Sequence, residues 1–411
     1  MPEPDSALRR RLDHFLHTAE AAMVWLAPAE QRLTSGGTDS PPRTFADYDA
    51  AADWAEREQH TFGPLVREAA AGGLDRLAWQ VADVAWHASP PTAANAEWLD
   101  VGHIGLAAAE REDDTDARIR LLISLGTAYR EANQLGDSLR HLAQALALCR
   151  DSGNAAEEAK ALNLTGLVHL RARRLDSATA CFGSALTTFR ALGDERRIAS
   201  ALSNIASTRL SAGPAADARD AVEAALAAHR ALGNRRGEGN ALRIAAAVHI
   251  ECGEPEAARL AVREALAIAA DLRDRTLEAY WLITLGDVHR VTAAYGDALI
   301  AYQRSAALHR RLGDRHREAL AWRGTGLTYE ALDRLAEAAA FHRRAAAAHT
   351  DLGDPWENAV DLTHLATALH PRDPELARTH WTQALACLTP FTDPRADALR
   401  ARIEHHLTET R

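Results

Sequence analysis

The sequence predicts an all-α protein: an α-solenoid of antiparallel helical hairpins preceded by an irregular helical N-terminal cap. Three observations predict it. A stop-and-start signal for helices recurs on a forty-residue grid, and small residues recur in columns inside each period. The composition, dominated by Ala, Leu, Glu and Arg with few β-branched residues, favours helix almost everywhere.

From the N-terminus, residues 7–26 carry an amphipathic helical pattern. Residues 28–44, with Thr34-Ser35-Gly36-Gly37-Thr38-Asp39-Ser40-Pro41-Pro42, have the composition of a mobile loop. Helices follow near 45–58 and 61–71, the second stopped by Gly72-Gly73. Five of the nine tryptophans (Trp25, Trp54, Trp79, Trp86 and Trp98) lie before residue 100, as expected of a larger, less repetitive core. Residues 1–74 are therefore assigned to the cap. Residues 75–114, with helices at 77–87 and 94–110, form a degenerate repeat unit in which Trp86 replaces the usual small residue.

The regular array then runs over 115–394 as seven units. Gly153, Gly193, Gly233, Gly313 and Gly353 end helices, with Arg273 standing in once. A glycine there takes the left-handed conformation that closes a helix. The next residue in each period is Asn154, Asp194, Asn234, Asp274, Asp314 or Asp354, each a good N-cap for the following helix. Glu157 and Glu357 stand where a capping box would use them, and Pro355 falls in a first turn. Inside the units, Gly126, Gly166, Ala206, Ala246, Gly286, Gly326 and Ala366 form one small column, and Ala178, Ala218, Ala258, Ala298 and Ala338 another. Small residues at these spacings let antiparallel helices approach, while leucines such as Leu122, Leu242 and Leu282 fill the space between hairpins. One hairpin cannot bury its apolar face, but a stack can. In the last unit Ala377, Trp381 and Ala384 come one residue early, after Pro371 and Pro374. Residues 395–411 read as a polar C-terminal capping helix.

The order of small, aromatic and leucine positions resembles the tetratricopeptide repeat (TPR). It is clearest in Leu282-Ile283-Thr284-Leu285-Gly286 with Ala298 and Tyr302, and in Trp322 to Gly326 with Tyr329, Ala338 and Ala345. The usual TPR has 34 residues; the longer unit here is similar to those of cell-polarity adaptors and kinesin light chains. The resemblance implies a right-handed solenoid with a groove lined by the first helix of each hairpin. A second resemblance begins at Arg10-Arg11-Leu12-Asp13-His14-Phe15-Leu16-His17-Thr18-Ala19 and continues through Phe45-Ala46-Asp47-Tyr48 and Ala52-Asp53-Trp54. This segment looks like the one preceding the TPR region of actinomycete NB-ARC/STAND-type regulators. The P-loop pattern of that family is absent, and Lys160, the single lysine, is not in a glycine loop. Nucleotide switching is therefore not carried over.

Composition and motifs exclude several classes. A net charge of −10 argues against direct nucleic-acid binding. No run of eighteen apolar residues and no leader-like N-terminus is present, so a cytoplasmic protein without membrane association is expected. Cys149, Cys181, Cys252 and Cys387 have no C-x-x-C spacing and are expected to be small buried hydrophobes. Gly324-Thr325-Gly326 lies mid-helix with no strand before it. His405-His406 has no acidic or cysteine partner at metal spacing, and His169, His249 and His289 share a packing column with Tyr129 and Tyr329. No catalytic residue, cofactor-binding residue or metal ligand is assigned, no cofactor is expected, and the chain is not expected to be an enzyme.

The groove positions implied by the TPR resemblance supply the candidate site: Lys160, Asn163, Ser203, Asn240, Arg243, Asp287, Arg290 and Arg323. The basic members are expected on one concave surface, with Asp287 and Glu330 as counter-charges. The Lys and Asn clamp of chaperone-binding relatives is absent. The expected function is a protein- or peptide-binding scaffold, acting as a regulatory adaptor or as the sensor part of a STAND-like system. Its partner would be a segment with an acidic cluster. A signalling-peptide receptor and an α-solenoid enzyme of a biosynthetic pathway are the alternatives, and the sequence assigns no oligomeric state.

Overall fold

Where one helix must stop and the next begin, the backbone repeats to the residue. Gly153, Gly193, Gly233, Gly313 and Gly353 have φ between 59° and 72°, and Asp113 and Arg273 adopt the same left-handed conformation at 53° and 51°. The amides of Asp114, Asn154, Asn234, Asp274, Asp314 and Asp354 reach back to the preceding helix, as in Asn154 N–H to Cys149 O (2.9 Å) and Asp354 N–H to His349 O (2.9 Å), which are Schellman bonds. The same residues cap the next helix. Asn154, Asp194, Asn234, Asp274, Asp314 and Asp354 each accept the amide three residues on at 3.0–3.2 Å. The expected capping boxes do not form, because the cap amides of Asn154 and Asp354 are already spent in the Schellman bonds. Glu357 reaches Arg323 instead, and Glu157 lies 4.0 Å from Lys160.

A second grid, offset by half a period, was not read from the sequence. Asn133, Arg173, Ala293 and Asp333 have φ of 52–58° and Gly253 has 73°, closing the first helix of each hairpin. It fails at Gly213 (φ −154°), which precedes Pro214, since a residue before proline is held in extended conformations, and again at Asp373 (φ −143°), which precedes Pro374 in the irregular last unit.

The computed structural model describes residues 4–27, 42–88 and 96–409, so the loop expected over 28–44 lies, up to residue 41, outside the described residues. Among the described residues there are twenty α-helices, and the fold is an all-α helical solenoid of consecutive packed pairs. No helix among them is long and apolar enough to cross a membrane. The chain divides into two compact units, residues 1–168 with 187–192, and residues 169–186 with 193–411.

The first unit opens with α1 (Pro4–Leu26), α2 (Tyr48–Glu58), α3 (Phe62–Ala71), α4 (Asp75–Ala88) and α5 (Ala96–Arg111). The second of these begins later than residue 45, because Asp47 is extended and accepts Ala50 N–H at 2.8 Å as its N-cap. An aromatic cluster of Phe15, Phe45, Trp54, Phe62 and Trp98 fills this core with ring centroids 4.9–6.2 Å apart. Trp25 stays 40% exposed, donating to Phe45 O. The first regular hairpin, α6 (Thr115–Glu131) with α7 (Leu135–Ser152), follows, and then α8 (Ala155–Arg171) and α9 (Leu175–Leu192), which carry the chain from one unit to the other.

The second unit contains the hairpins α10 (Glu195–Ala212)/α11 (Ala216–Ala231), α12 (Arg235–Glu251)/α13 (Pro255–Asp271), α14 (Arg275–Val291)/α15 (Tyr295–Arg311), α16 (Arg315–Ala331)/α17 (Leu335–Asp351) and α18 (Pro355–Leu369)/α19 (Pro374–Leu388), then α20 (Pro394–Glu409). The small columns are buried throughout, with Ala206, Ala246, Ala366, Ala218, Ala258, Ala298 and Ala338 at 0% exposure.

Their purpose is more specific than close helix approach. Sixteen residues after each small residue stands the side chain that fills its notch: Leu142 after Gly126, Tyr302 after Gly286 and His342 after Gly326. Ala206 and Ala246 are matched by the smaller Val222 and Val262 in shared clusters. A Cβ on Gly286 would lie 2.5 Å from the Tyr302 ring, and one on Gly324 would overlap the same ring. Gly324→Ala is therefore expected to destabilise by about 1–3 kcal/mol through overpacking. Gly183→Ala, mid-helix where a Cβ meets nothing within 4 Å, should stabilise by roughly 0.5–1 kcal/mol through helix propensity. Urea titrations of the two variants give opposite signs if the notch is real.

Long-range links tie the start of the second unit to its end. Arg173 donates to Asp393 at 2.7 and 3.2 Å and to Ser211 O at 3.1 Å, and lies 3.4 Å from the centre of the Trp356 ring. Arg395 donates to Gly213 O (3.2 Å) and Glu251 (2.5 Å), and Arg171 meets His316. The final helix is thus more than a polar cap: it buries Ala396, Leu399 and Ile403 and anchors these contacts.

Candidate binding face

Within the second unit the first helices of successive hairpins, α10, α12, α14, α16 and α18, touch one another in order. Six of the eight candidate residues lie on them, and the structure separates these into two kinds.

Ser203, Asp287, Arg290 and Arg323 are occupied internally, Arg290 by its pairing with Asp287. Ser203 is buried, its hydroxyl donating to Ala199 O (3.2 Å) and lying 3.3 Å from His229 Nε2. It is not a groove donor. Asp287 accepts the Tyr302 hydroxyl at 2.7 Å, with Arg290 at 3.7 Å, and burial holds its carboxyl above the usual range. Arg323 makes a network of its own: Nε to Asp361 at 2.5 Å, Nη1 to Glu357 at 2.6 Å, and Nη2 to Glu357 O at 3.0 Å. His349 Nδ1 lies 2.6 Å from the other Asp361 oxygen, and both side chains are 0% exposed. Burial opposes every charge here, but Arg323 outweighs it and keeps Asp361 and Glu357 ionised below their ordinary range. The counter-charges of Arg323 are thus Glu357 and Asp361, where Glu330 was expected; Glu330 faces His342 and His364.

Asn240 and Arg243 differ. They lie one turn apart on α12, both half-buried, and Asn240 has no side-chain hydrogen bond among the described residues. Arg243 stands two periods before Arg323, and the positions matching Glu357 and Asp361 are Leu277 and Trp281. Its guanidinium has no ion pair among the described residues. Instead it stacks 4.5 Å from the centre of the Tyr280 ring, with Arg317 at 4.7 Å from the same ring. The Tyr280 phenol is pulled below its ordinary pKa chiefly by Arg243, with burial opposing and Arg317 and Arg171 adding to the effect. Asp314, paired with Arg317 at 2.5 Å, is the carboxylate near this group. The result is a local surplus of positive charge around one aromatic ring in an acidic chain.

Lys160 and Asn163 belong to α8 in the first unit, where Lys160 is half-buried 4.0 Å from Glu157. Arg317 was not among the candidate residues; Tyr280 stands in the groove column implied by the TPR resemblance, one forty-residue period after Asn240, but was not singled out. Of the cysteines, Cys149 is fully buried and its thiol is pushed up to about 11, chiefly by burial, while the other three are half-buried.

Fold and face together define a helical-repeat protein of TPR-like architecture. Among solved structures, a Rap protein complexed with competence and sporulation factor is similar, with a TM-score of 0.52 and 13% identity over 79% of this chain and 99% of that one. A STAND protein with a tetratricopeptide repeat sensor from Pyrococcus horikoshii gives a TM-score of 0.49 at 12% identity, covering 77% of this chain and 53% of that one. The chain thus spans about half the length of the STAND protein. The apo form of RapI gives 0.48 at 11% identity, covering 82% of this chain and 96% of that one. No protein-family model matches the sequence, and no curated protein matches it.

Proposed function

We propose that the chain is a non-enzymatic binding scaffold that takes an acidic segment of a protein or peptide on the face formed by Asn240, Arg243, Tyr280 and Arg317. The observation that carries this reading is the half-buried Arg243, whose guanidinium stacks on Tyr280 without a carboxylate partner among the described residues and whose Nε has no hydrogen-bond partner. A carboxylate arriving there gains a charge-assisted hydrogen bond, and its neighbours can bond to the Asn240 amide. The positive surplus steers acidic partners and disfavours basic ones. The role we favour is that of a regulatory adaptor or the sensor part of a STAND-like system, without nucleotide chemistry of its own.

A second reading, a receptor for a signalling peptide, draws support from the similarly folded Rap protein, which is described in complex with competence and sporulation factor. Both readings place the ligand on this face.

The test uses fluorescent peptides of equal length carrying an Asp/Glu cluster, its Lys/Arg counterpart, or a neutral sequence, with binding followed by anisotropy. Acidic peptides should bind most tightly and weaken as salt rises. A single exposed pair contributes only ~0.2–1 kcal/mol, so the informative variant is Arg243→Glu, which adds repulsion and should weaken binding at least about tenfold. Arg323 is unsuitable for this purpose, because its replacement reports on folding. Basic peptides binding as well as acidic ones, or Arg243→Glu binding like wild type, would remove the proposal. Saturable micromolar binding of ATP or GTP by calorimetry would overturn the non-enzymatic reading.

A further inference from the structure

Glu330, His342 and His364 bring three metal-type donors together from three successive helices, α16, α17 and α18. One donor atom from each lies within 4.8 Å of the other two. Glu330 Oε1 is 3.0 Å from His342 Nε2, and Glu330 Oε2 is 3.6 Å from His364 Nδ1. The two imidazoles stack with ring centroids 5.2 Å apart at 23°.

What sets the group apart from an ordinary ion pair is His342. Its side chain is 0% exposed, and neither ring nitrogen has a hydrogen-bond partner. The approach to Glu330 is close but lacks hydrogen-bond geometry, and Oε1 of Glu330 is likewise buried without a bond. A buried imidazole with both nitrogens unmatched is costly unless something else takes a lone pair. The position is also anomalous within the repeat. The position that His342 takes beside Gly326 is taken by Leu142, Phe182, Val222, Val262 and Tyr302 in other units. Leucine, phenylalanine and tyrosine fill the glycine notches of the other units, so packing alone does not require an imidazole.

We propose that Glu330, His342 and His364 bind a divalent transition-metal ion of the zinc class. Two imidazoles and one carboxylate suit zinc, nickel or iron(II) and do not suit magnesium or calcium, which prefer all-oxygen sites. Ligand bonds of about 2.0–2.2 Å place the donors of a tetrahedral zinc roughly 3.3 Å apart, so the closure from the present spacing is within rotamer adjustment. Both Glu330 and His364 keep about a fifth of their side-chain surface exposed, which gives the ion an entry path and leaves a fourth position for water or a donor from a partner. A bound ion would fasten the fourth and fifth hairpins of the second unit together. This goes beyond the binding face, and its test does not depend on it.

The experiment uses the untagged full chain, stripped with chelator, titrated with Zn²⁺ by calorimetry and with Co²⁺ by visible absorption. One equivalent should bind saturably at micromolar concentration, Co²⁺ should show the intense bands of a low-coordinate site, and Zn²⁺ should raise the melting temperature by about 3 °C or more. His364→Ala and Glu330→Gln, both at partly exposed positions, should keep the wild-type circular dichroism while losing at least about tenfold in Zn²⁺ affinity. Mg²⁺ at the same concentration should leave the melting temperature unchanged. Absence of saturable binding to wild type overturns the proposal. So does unaltered binding by both variants, which would send the ion elsewhere, for example to His405 and His406. An equal response to Mg²⁺ would also overturn it, as general attraction to an acidic chain.

Discussion

Arg323→Ala is expected to destabilise the second unit by about 3–5 kcal/mol, the range for removing one partner of a buried ion pair. Asp361 is 0% exposed and Glu357 about a fifth exposed, so both carboxylates would keep their desolvation cost and lose the guanidinium that offsets it. His349 cannot replace it, since its Nδ1 already contacts Asp361 and an imidazole lacks the guanidinium fork that holds both carboxylates. Urea unfolding followed by circular dichroism measures the loss directly. Arg323→Leu combined with Asp361→Leu should recover much of it, because apolar residues of similar volume avoid the stranded charge. A loss below about 1 kcal/mol for Arg323→Ala would mean that the network is surface decoration and not part of the core.

Acidification should weaken the same unit in a window set by its buried histidines. His309 is 0% exposed and its pKa is lowered to about 4, chiefly by burial, with Asp314 opposing and Arg317 adding to the shift. His316 is lowered well below its ordinary value for the same leading reason, with Arg171 next, and His229 is lowered by burial as well. An unfolded histidine takes up its proton near pH 6.5, whereas folded His309 refuses it until about pH 4. In between, the unfolded state binds more protons, so stability rises with pH across this window and is lost as pH falls through it. For His309 the displacement from 6.5 to about 4, at about 1.4 kcal/mol per pKa unit, is worth on the order of 3 kcal/mol. Urea midpoints at pH 7.5, 6 and 5 should decline accordingly, and His309→Gln should flatten the slope by close to one proton. An unchanged slope in that variant would show that the burial of His309 is not what the acid reaches.

The hairpin register was legible because every helix end is written locally. A C′ residue, an N-cap and a first-turn proline act within four residues of one another, so the grid from Gly153 to Asp354 could be read without any tertiary information. The second grid was missed for the same reason in reverse. Asn133, Arg173, Ala293 and Asp333 share no residue type, and only the backbone shows that they share a conformation. The binding face was legible in part. TPR-derived columns found Asn240 and Arg243, yet could not distinguish Arg243 from Arg323, because the difference lies 34 and 38 residues downstream, where one has Leu277 and Trp281 and the other Glu357 and Asp361. Glu330, His342 and His364 stand 12 and 22 residues apart on different helices, outside any local metal motif. Their trace was an imidazole in a column otherwise filled by Leu142, Phe182, Val222, Val262 and Tyr302.

An open stack of repeats behaves as a chain of nearest neighbours: each unit feels only the next, folding can start anywhere, and the array bends like a spring. The links from Arg173 to Asp393 and from Arg395 to Glu251 join residues 220 and 144 positions apart. They convert the second unit from a line of coupled elements into one whose ends are clasped. Such an object is stiffer and unfolds as a whole. It must also close a long loop before those links reward it, which slows folding relative to an unclasped array. Trimming the last helix would then be felt at Arg173, on the far side of the sequence, and not merely at the hairpin beside it.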